Sequence, residues 1–293
     1  MLTVRAPATS ANLGSGFDVF GVALDRPADV VTVERAEETT IEVSGAGAQY
    51  IPEDPAKNTA GVVARELDAP AHIHIDKGVR PSSGLGSSAA SAAAAAVALD
   101  ALYERGHTAE DLVRVAAEGE AAVSGEAHAD NVAPSILGGF TIVRDDGVLS
   151  IDATVPLVAC LPEIVVSTRD ARGVVPRSAE MADVVHTVGS AATLTAGMQR
   201  DDPALVGRGM DERVVTPARA RLIDGYDDVC AAAADAGATG VTVSGAGPAI
   251  LAACHPSRQR AVASAMVEAF EEAGVDARAY RSSVGRGAEI IER

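Results

Sequence analysis

The stretch 80–96 constrains this chain most, because a Gly- and Ser-rich loop runs directly into an Ala-rich segment: Arg-Pro-Ser-Ser-Gly-Leu-Gly-Ser-Ser-Ala-Ala-Ser-Ala-Ala-Ala-Ala-Ala. Gly84 and Gly86 have no Cβ atom, so the backbone N–H groups around them can approach a ligand closely. Ser87 and Ser88 stand where the helix is predicted to begin, and the unpaired N–H groups and dipole of a helix start attract anions. An ordinary N-cap needs one serine and one turn, whereas this pattern predicts a phosphate-binding loop.

Two common phosphate loops do not explain this stretch. The P-loop of NTPases requires Gly-Lys-Ser or Gly-Lys-Thr, and no lysine follows Lys77 in the chain. The dinucleotide fingerprint fits residues 84–89 by letter, but it needs a strand ending in an acidic residue after the helix. Here a turn at 105–107 leads to a second predicted helix, 108–123, so the required βαβ unit is missing.

The composition argues against a nucleic-acid-binding protein and against a membrane protein. With 293 residues the chain can form one large domain or two, and its net charge of −17 argues against nucleic acid as a partner. No apolar run reaches membrane-spanning length, and the N-terminal Met-Leu-Thr-Val-Arg has no signal-peptide pattern, so we expect a cytoplasmic protein without a membrane partner. The 3 widely spaced cysteines predict buried free thiols. Either GC-rich coding or a saline cytoplasm explains the scarcity of lysine, and we favour adaptation to salt.

Three further phrases carry polar residues at predicted turns. Residues 7–18 read Pro-Ala-Thr-Ser-Ala-Asn-Leu-Gly-Ser-Gly-Phe-Asp, a turn in which Asn12 and Asp18 either orient a ligand or cap the chain. Residues 128–134 read His-Ala-Asp-Asn-Val-Ala-Pro and predict a functional loop between a helix and a strand. Residues 240–250 read Gly-Val-Thr-Val-Ser-Gly-Ala-Gly-Pro-Ala-Ile and predict two strands joined by a glycine turn.

Hydrophobic periodicity predicts the elements around these phrases. They are paired strands at 29–35 and 40–44, a helix over 87–103, a strand at 164–168 and one long helix over 217–236. The apolar stretch 154–161 contains a proline, and we expect the domain boundary there.

These phrases resemble the motifs of the GHMP kinase superfamily, which includes galactokinase, homoserine kinase, mevalonate kinase and phosphomevalonate kinase. Ser-Gly-Leu-Gly-Ser-Ser-Ala is similar to the central motif, and 7–18 and 240–250 are similar to the first and third. The forms of 7–18 and of His-x-Asp-Asn-Val-Ala-Pro are especially similar to the homoserine kinase branch. Two positions depart from the family pattern: Arg80 holds a proline position, with Pro81 following, and Asp224 replaces the usual proline of Pro-x-Arg-x-x-Leu-Ile-Pro-Gly.

The resemblance implies an α+β, two-domain fold. An N-terminal domain like ribosomal protein S5, residues 1–155, would bind ATP. A C-terminal ferredoxin-like α/β-sandwich domain, residues 156–286, would complete the substrate site. The last strand, near 287–293, would return to the first domain.

The resemblance also implies a set of site residues. Those for ATP are Pro81, Ser82, Ser83, Gly84, Leu85, Gly86, Ser87, Ser88, Ala89 and Ala90. Those for the substrate are Asn12, Asp18, His128, Asn131, Thr168, Arg172, Arg219 and Thr242. Ser88 and Glu120 would hold Mg²⁺, and together with Asn131, which would contact the substrate hydroxyl, they form the expected catalytic set. An arginine pair suits a carboxylate because each planar guanidinium donates two parallel hydrogen bonds.

The implied activity is ATP-dependent phosphorylation of the L-homoserine side-chain hydroxyl to O-phospho-L-homoserine, in threonine biosynthesis. A loose phosphoryl-transfer transition state asks little of a base, so direct transfer without a strong base is expected, although Asp130 stands where relatives carry one. Two alternatives stay open: a mevalonate- or shikimate-type kinase of the same superfamily, and a catalytically silent ligand-binding relative. A homodimer is compatible with the sequence but not required by it.

Overall fold

Two β-sheets organise the protein in the computed structural model, which describes residues 1–125 and 127–293. The strands are Leu2–Ala11 (β1), Phe20–Arg35 (β2), Thr40–Gly45 (β3), Ala71–Lys77 (β4), Phe140–Arg144 (β5), Gly147–Ile151 (β6), Pro156–Pro162 (β7), Ala238–Val243 (β8), Ile250–Cys254 (β9), Ala277–Ser283 (β10) and Glu289–Glu292 (β11). The α-helices are Thr59–Glu66 (α1), Ser87–Tyr103 (α2), Ala109–Ser124 (α3), Ala129–Leu137 (α4), Thr168–Gly173 (α5), Met181–Gln199 (α6), Pro203–Gly209 (α7), Val215–Ala220 (α8), Tyr226–Asp235 (α9) and Gln259–Glu272 (α10).

The first sheet has the order β11-β1-β2-β4-β3, and β5 and β6 extend it from β2. The predicted pairing of 29–35 with 40–44 is wrong, because β4 lies between β2 and β3. β4 runs antiparallel to β2 and parallel to β3, with Ile73 opposite Val33 and Ile41. The chain from β3 to β4 passes through α1, a crossover long enough for parallel pairing, and strand alternation alone does not reveal the partner.

Helix α2 forms the centre of the first core. The predicted bounds 87–103 are confirmed, and the alanines from Ala92 to Ala96 are all fully buried. Their small side chains let α2 lie close to β1 and β2 on one side and to α1 and α3 on the other. The Ala run is therefore explained by close packing, and it fixes the loop that precedes α2.

The second sheet has the order β10-β7-β9-β8 and is covered on both faces. Phe270 of α10 and Val229 of α9 pack against one face, while Leu194 of α6 and Val206 of α7 pack against the other. The predicted strand at 164–168 is wrong, since the strand is β7, at 156–162, and α5 begins at Thr168. β7 is buried on both faces, and such strands lack alternation; its two terminal prolines favour a linker when only the sequence is read.

We propose the domain boundary at residues 155/156. β6, which ends at Ile151, belongs to the first sheet, and β7 belongs to the second. β11, at the end of the chain, pairs antiparallel with β1.

Two further predictions are corrected in the helical parts. The cluster predicted as a loop at 128–134 lies on α4, whose Val132 and Ile136 pack into the first core although Pro134 is inside the helix. The predicted helix 217–236 is broken into α8 and α9, because Gly225 has a left-handed φ of 81° that a continuous helix cannot contain.

The cysteines and the helix lengths were also predicted from the sequence. Cys160 and Cys254 are buried free thiols as predicted, and Cys230 is free and half-buried. Among the described residues, none of the helices combines the length and apolar character that a bilayer crossing requires.

Candidate active site

The three motifs of the sequence meet at one cavity of about 330 Å³. It is lined by the loop before α2, the turn after β1 and the turn between β8 and β9, and α3, α4, α5 and α8 add further side chains. Of the predicted site residues, those on the cavity wall are Asn12, Asp18, Pro81, Ser82, Ser83, Gly84, Gly86, Ser87, Ser88, Glu120, His128, Asn131, Thr168, Arg172 and Arg219.

Gly84 and Gly86 of the loop are required for two reasons. Neighbouring atoms leave no room for a Cβ atom, and both residues have a positive φ. Gly86 has φ 63°, and a Cβ there would lie 2.0 Å from the Thr9 hydroxyl and 3.0 Å from Asn131 Oδ1. Gly84 has φ 76°, and a Cβ there would lie 2.6 Å from the carbonyl oxygen of Ser244 and 2.7 Å from that of Gly247. Because both conformations are strained for other residues, the loop's path is set by these two positions.

Hydrogen bonds tie the three motifs to one another. The Ser244 hydroxyl is 2.8 Å from the Ser10 hydroxyl and donates to the Gly84 carbonyl at 2.7 Å. The buried Asn12 amide donates to the Gly245 carbonyl at 3.1 Å, and its Oδ1 accepts from the Asp18 N–H at 3.0 Å. The glycine turn after β8 thus supports the phosphate loop and the first motif together.

Ser88 and Glu120 form the predicted metal-binding pair. Ser88, on the first turn of α2, and Glu120 of α3 both line the cavity. Burial raises the pKa of Glu120, while the neighbouring Ser88 hydroxyl and the charges of His128 and Lys77 oppose that shift. No three His, Cys, Asp or Glu side chains cluster as metal ligands in the described chain. A hydroxyl and one carboxylate beside a phosphate loop nevertheless fit Mg²⁺, which takes few protein ligands and completes its shell with water and phosphate oxygens.

The start of α4 brings His128, Asp130 and Asn131 to the cavity. His128 is the N-cap residue, and Asn131 Oδ1 accepts a hydrogen bond from the Thr9 hydroxyl at 3.0 Å. The Asn131 amide donates to Asp130 Oδ1 at 3.3 Å. Burial raises the pKa of Asp130 to about 6, and the negative charge of Asp18 also raises it. Asn131 is therefore held on both sides of its amide, next to the phosphate loop.

Two arginines, Arg172 and Arg219, lie on the cavity wall near the carboxylates of Asp18 and Asp130. Arg172 of α5 donates to Asp18 Oδ2 at 2.7 Å, and the buried Arg219 of α8 donates to the Gly245 carbonyl at 2.7 Å. Burial and the nearby charge of Arg172 lower the pKa of Arg219. The guanidinium carbons of both arginines lie 5.2 Å from the centroid of the Phe17 ring. One aromatic ring thus contacts two like charges.

Four predicted residues do not line the cavity. Leu85 is buried in the second core, and Ala89 and Ala90 are buried along α2, so only their backbone is in the phosphate loop and helix start. Thr242 is fully buried on β8, with its hydroxyl 3.5 Å from that of Thr216. The side chain of Thr242 therefore does not reach the cavity in this structure.

A buried ion pair that was not predicted from the sequence lies below the phosphate loop. Lys77 pairs with Asp29 and also donates to the Ser87 carbonyl at 2.7 Å and the Ser91 hydroxyl at 2.9 Å. Asp29 Oδ1 accepts from the N–H groups of residues 78 and 79 at 3.1 and 2.9 Å. Burial lowers the pKa of Lys77, and Asp29 opposes that shift. The signal that could have found this pair is the rarity of lysine, since Lys77 is one of only two.

Comparisons with known proteins agree with this geometry. The family model described as the GHMP kinases N terminal domain matches residues 55–139, and the one described as GHMP kinases C terminal matches residues 194–272. A homoserine kinase of Natronomonas pharaonis is 70% identical over 291 residues, covering 99% of this chain and 100% of that protein. A homoserine kinase of Haloquadratum walsbyi is 72% identical over 291 residues, with the same coverage.

A solved structure extends the comparison to the fold. The crystal structure of homoserine kinase from Cytophaga hutchinsonii superposes with a TM-score of 0.93 at 36% identity, covering 99% of this chain and 97% of that one. The chain therefore belongs to the GHMP kinase family and, within it, to the homoserine kinases. The expected family, the two-domain α+β fold and the kinase activity are confirmed. The match to relatives from halophilic archaea also supports the salt-adapted interpretation of the acidic composition.

Proposed function

We propose that this protein transfers the γ-phosphoryl group of ATP to the side-chain hydroxyl of L-homoserine, giving O-phospho-L-homoserine for threonine biosynthesis in the cytoplasm. The observation that carries the proposal is the pairing of two sites in one cavity. A phosphate loop lies on one side, and a carboxylate with two arginines lies on the other. Asn131 lies between them through its contacts with Thr9 and Asp130.

The charges on the second side complement an amino acid. Arg172 and Arg219 would bind the α-carboxylate, since guanidinium groups match a carboxylate in shape and charge. Asp18 would accept from the α-ammonium. It already accepts from Arg172 through Oδ2, and a carboxylate has further lone-pair sites. A sugar acceptor offers neither charge to this cluster.

The nucleotide would follow the other side of the cavity. The loop from Pro81 to Ser88 would bind the phosphates through backbone N–H groups and the start of α2. Tyr50, Ile51 and Pro52 provide an aromatic and apolar wall of the same cavity, which suits the adenine base. The side chain of Asn58, on the same wall, donates to the Pro52 carbonyl and accepts from the Ala60 N–H.

Ser88 and Glu120 would hold Mg²⁺. When bound, this ion neutralises charge on the β- and γ-phosphates. Asn131 would orient the acceptor hydroxyl toward the γ-phosphorus from a position that Thr9 and Asp130 fix. Because a loose transition state needs positioning more than proton abstraction, we assign Asp130 no obligatory role as a base.

Arg219→Ala tests the amino-acid side of the proposal, and Arg221→Ala is its control. Arg221 lies just after α8 and is exposed, whereas Arg219 is buried on the cavity wall. We expect Arg219→Ala to raise the KM for homoserine by at least tenfold while the KM for ATP stays near the wild-type value. An unchanged homoserine KM would contradict the assigned carboxylate contact.

A further inference from the structure

The phosphate loop, residues 78–86, follows a backbone path that depends on support from the rest of the fold. Ser82, Gly84 and Gly86 have φ of 55°, 76° and 63°, so the chain turns left-handed at three nearby positions. A left-handed serine in particular persists only where the surrounding structure holds it. The other two motifs hold the tip of the loop through hydrogen bonds to the carbonyls of residues 83–85. The two ends of the loop need a support of their own.

Buried polar side chains join these two ends at the base of the loop. Asp29 of β2 accepts through Oδ1 from the N–H groups of residues 78 and 79, where the loop begins. Lys77 donates to the Ser87 carbonyl at 2.7 Å, where α2 begins, and the Ser87 hydroxyl donates to the carbonyl of residue 79 at 2.7 Å. Ser91, one turn further along α2, donates to Asp29 Oδ2 at 2.8 Å and accepts from Lys77 at 2.9 Å.

Asp29, Lys77 and Ser91, which we call the loop clasp, satisfy the hydrogen-bonding capacity of one another and of the loop ends. Lys77 uses its three donors, Asp29 accepts four hydrogen bonds, and Ser91 donates one and accepts one. All three are buried. Ser91 is also the only residue other than alanine from Ala89 to Ala96. A buried hydroxyl costs free energy unless it is bonded, so this serine is explained by the clasp and not by the packing of α2.

The clasp contains one positive and one negative charge, so it fixes geometry without adding net charge to the site. Replacing a buried ion pair by apolar groups often costs no stability, and the best-attested use of such a pair is to fix one arrangement of its partners. Salt screens a buried pair much less than a surface pair. The clasp therefore keeps its effect on the loop at high salt.

We propose that the loop clasp positions the phosphate loop for ATP, by holding both ends of the loop in place before the nucleotide binds. This inference rests on the proposed binding of the ATP phosphates by this loop. Asp29, Lys77 and Ser91 are positioning residues, which act on the phosphates through the loop. A loop that is ordered in advance loses less conformational freedom on binding, so loosening the clasp weakens ATP binding. The homoserine side of the cavity is built by other elements and keeps its affinity.

Ser91→Ala tests the clasp with little risk to the fold, because alanine continues the run of α2 and has the higher helix propensity. Ser282→Ala is the matched control, since Ser282 of β10 is also buried, lies off the cavity wall, and likewise accepts one hydrogen bond and donates one. Isothermal titration calorimetry with ATP and Mg²⁺ measures the Kd in low and in molar KCl. We expect Ser91→Ala to raise the Kd for ATP about fivefold at both salt concentrations, and Ser282→Ala to stay within about twofold of the wild type.

Amide hydrogen exchange in the ATP-free protein gives a readout that does not depend on activity. Peptides covering residues 78–88 should exchange faster in Ser91→Ala than in the wild type or in Ser282→Ala, while the homoserine KM at saturating ATP stays unchanged in both variants. A wild type that binds no ATP would contradict the proposed phosphate site itself. If the wild type binds ATP, an unchanged Kd or unchanged loop exchange in Ser91→Ala overturns the clasp. An equal loss of ATP affinity in Ser282→Ala also overturns it, because lost stability would then be the cause.

Discussion

Phe17 is expected to set the affinity for the amino-acid substrate without contacting the transferred phosphoryl group. Its ring centroid lies 5.2 Å from the guanidinium carbon of Arg172 and 5.2 Å from that of Arg219. Two neighbouring guanidinium groups repel each other, and the negative face of an aromatic ring attracts both. The ring therefore holds the two cations near each other before substrate arrives, and we expect Phe17→Leu to loosen them.

The size of the effect follows from the exposure of the two arginines. A cation–π contact contributes about 0.5–1 kcal/mol at exposed sites and about 2 kcal/mol when desolvated. The Arg172 side chain is 33% exposed, whereas the Arg219 residue is only 5% exposed. In the variant, contacts of the two arginines with the bound substrate replace part of this energy. We therefore expect the binding free energy of homoserine to weaken by about 1.5 kcal/mol, which is about tenfold in affinity.

Steady-state kinetics with homoserine and ATP varied in turn measures this loss. Phe17→Leu should raise the homoserine KM about tenfold with kcat and the ATP KM little changed. Phe17→Tyr keeps the aromatic face and should stay close to the wild type. The reasoning is refuted if Phe17→Leu leaves the homoserine KM within twofold of wild type, or if it shifts both KM values equally, as a general loss of structure would.

Three further perturbations test other parts of the site. Glu120→Gln should weaken the apparent affinity for Mg²⁺ in ATP turnover, whereas Glu118→Gln, at an exposed position of the same helix, should not. If both variants show the same Mg²⁺ dependence of turnover as the wild type, Glu120 does not bind the metal. Asp29→Asn leaves Lys77 buried without its counter-charge and should lower the free energy of unfolding in urea by about 3–5 kcal/mol, so a loss below about 1 kcal/mol would contradict the ion pair's role. Asp130 has a pKa of about 6 when folded against an ordinary value of 3.8, so the folded state binds its proton more tightly, and ionisation costs stability increasingly as pH rises between these values. Asp130→Asn should therefore stabilise the protein at about pH 7, with the gain disappearing toward about pH 4, and a pH-independent gain would show that ionisation is not its cause.

The phosphate loop and α2 could be predicted from the sequence because their determinants are local. Gly84 and Gly86 allow the backbone path, and an uninterrupted Ala run has high helix propensity. The observed helix begins and ends at the predicted residues, Ser87 and Tyr103. The order of the three motifs also indicated the family, and hence the two-domain fold.

Other elements depend on contacts between distant parts of the chain. β7 is defined by its neighbours β9 and β10, and its prolines favoured a linker. α4 is stabilised by packing Val132 and Ile136 against the first core, although its polar start reads as a loop. Local patterns do not contain these contacts.

The same limit applies to the candidate site. The motifs predicted about half of the residues that line the cavity, including Arg219. They did not predict that Phe17 contacts both arginines, or that Lys77 and Asp29 pair across 48 positions of sequence. These partners come from separate strands, turns and helices, so only the folded chain brings them together.

The most direct test of the proposed activity is ADP release in a coupled assay, in molar KCl with ATP and Mg²⁺, using homoserine, mevalonate, shikimate and galactose as separate acceptors. We expect turnover with homoserine and only background ADP release with the other three acceptors. Turnover with mevalonate or shikimate but not homoserine would keep the phosphate side of the cavity and contradict the assignment of Asp18, Arg172 and Arg219. A folded, ATP-binding protein without turnover on any acceptor would contradict the proposed catalysis itself.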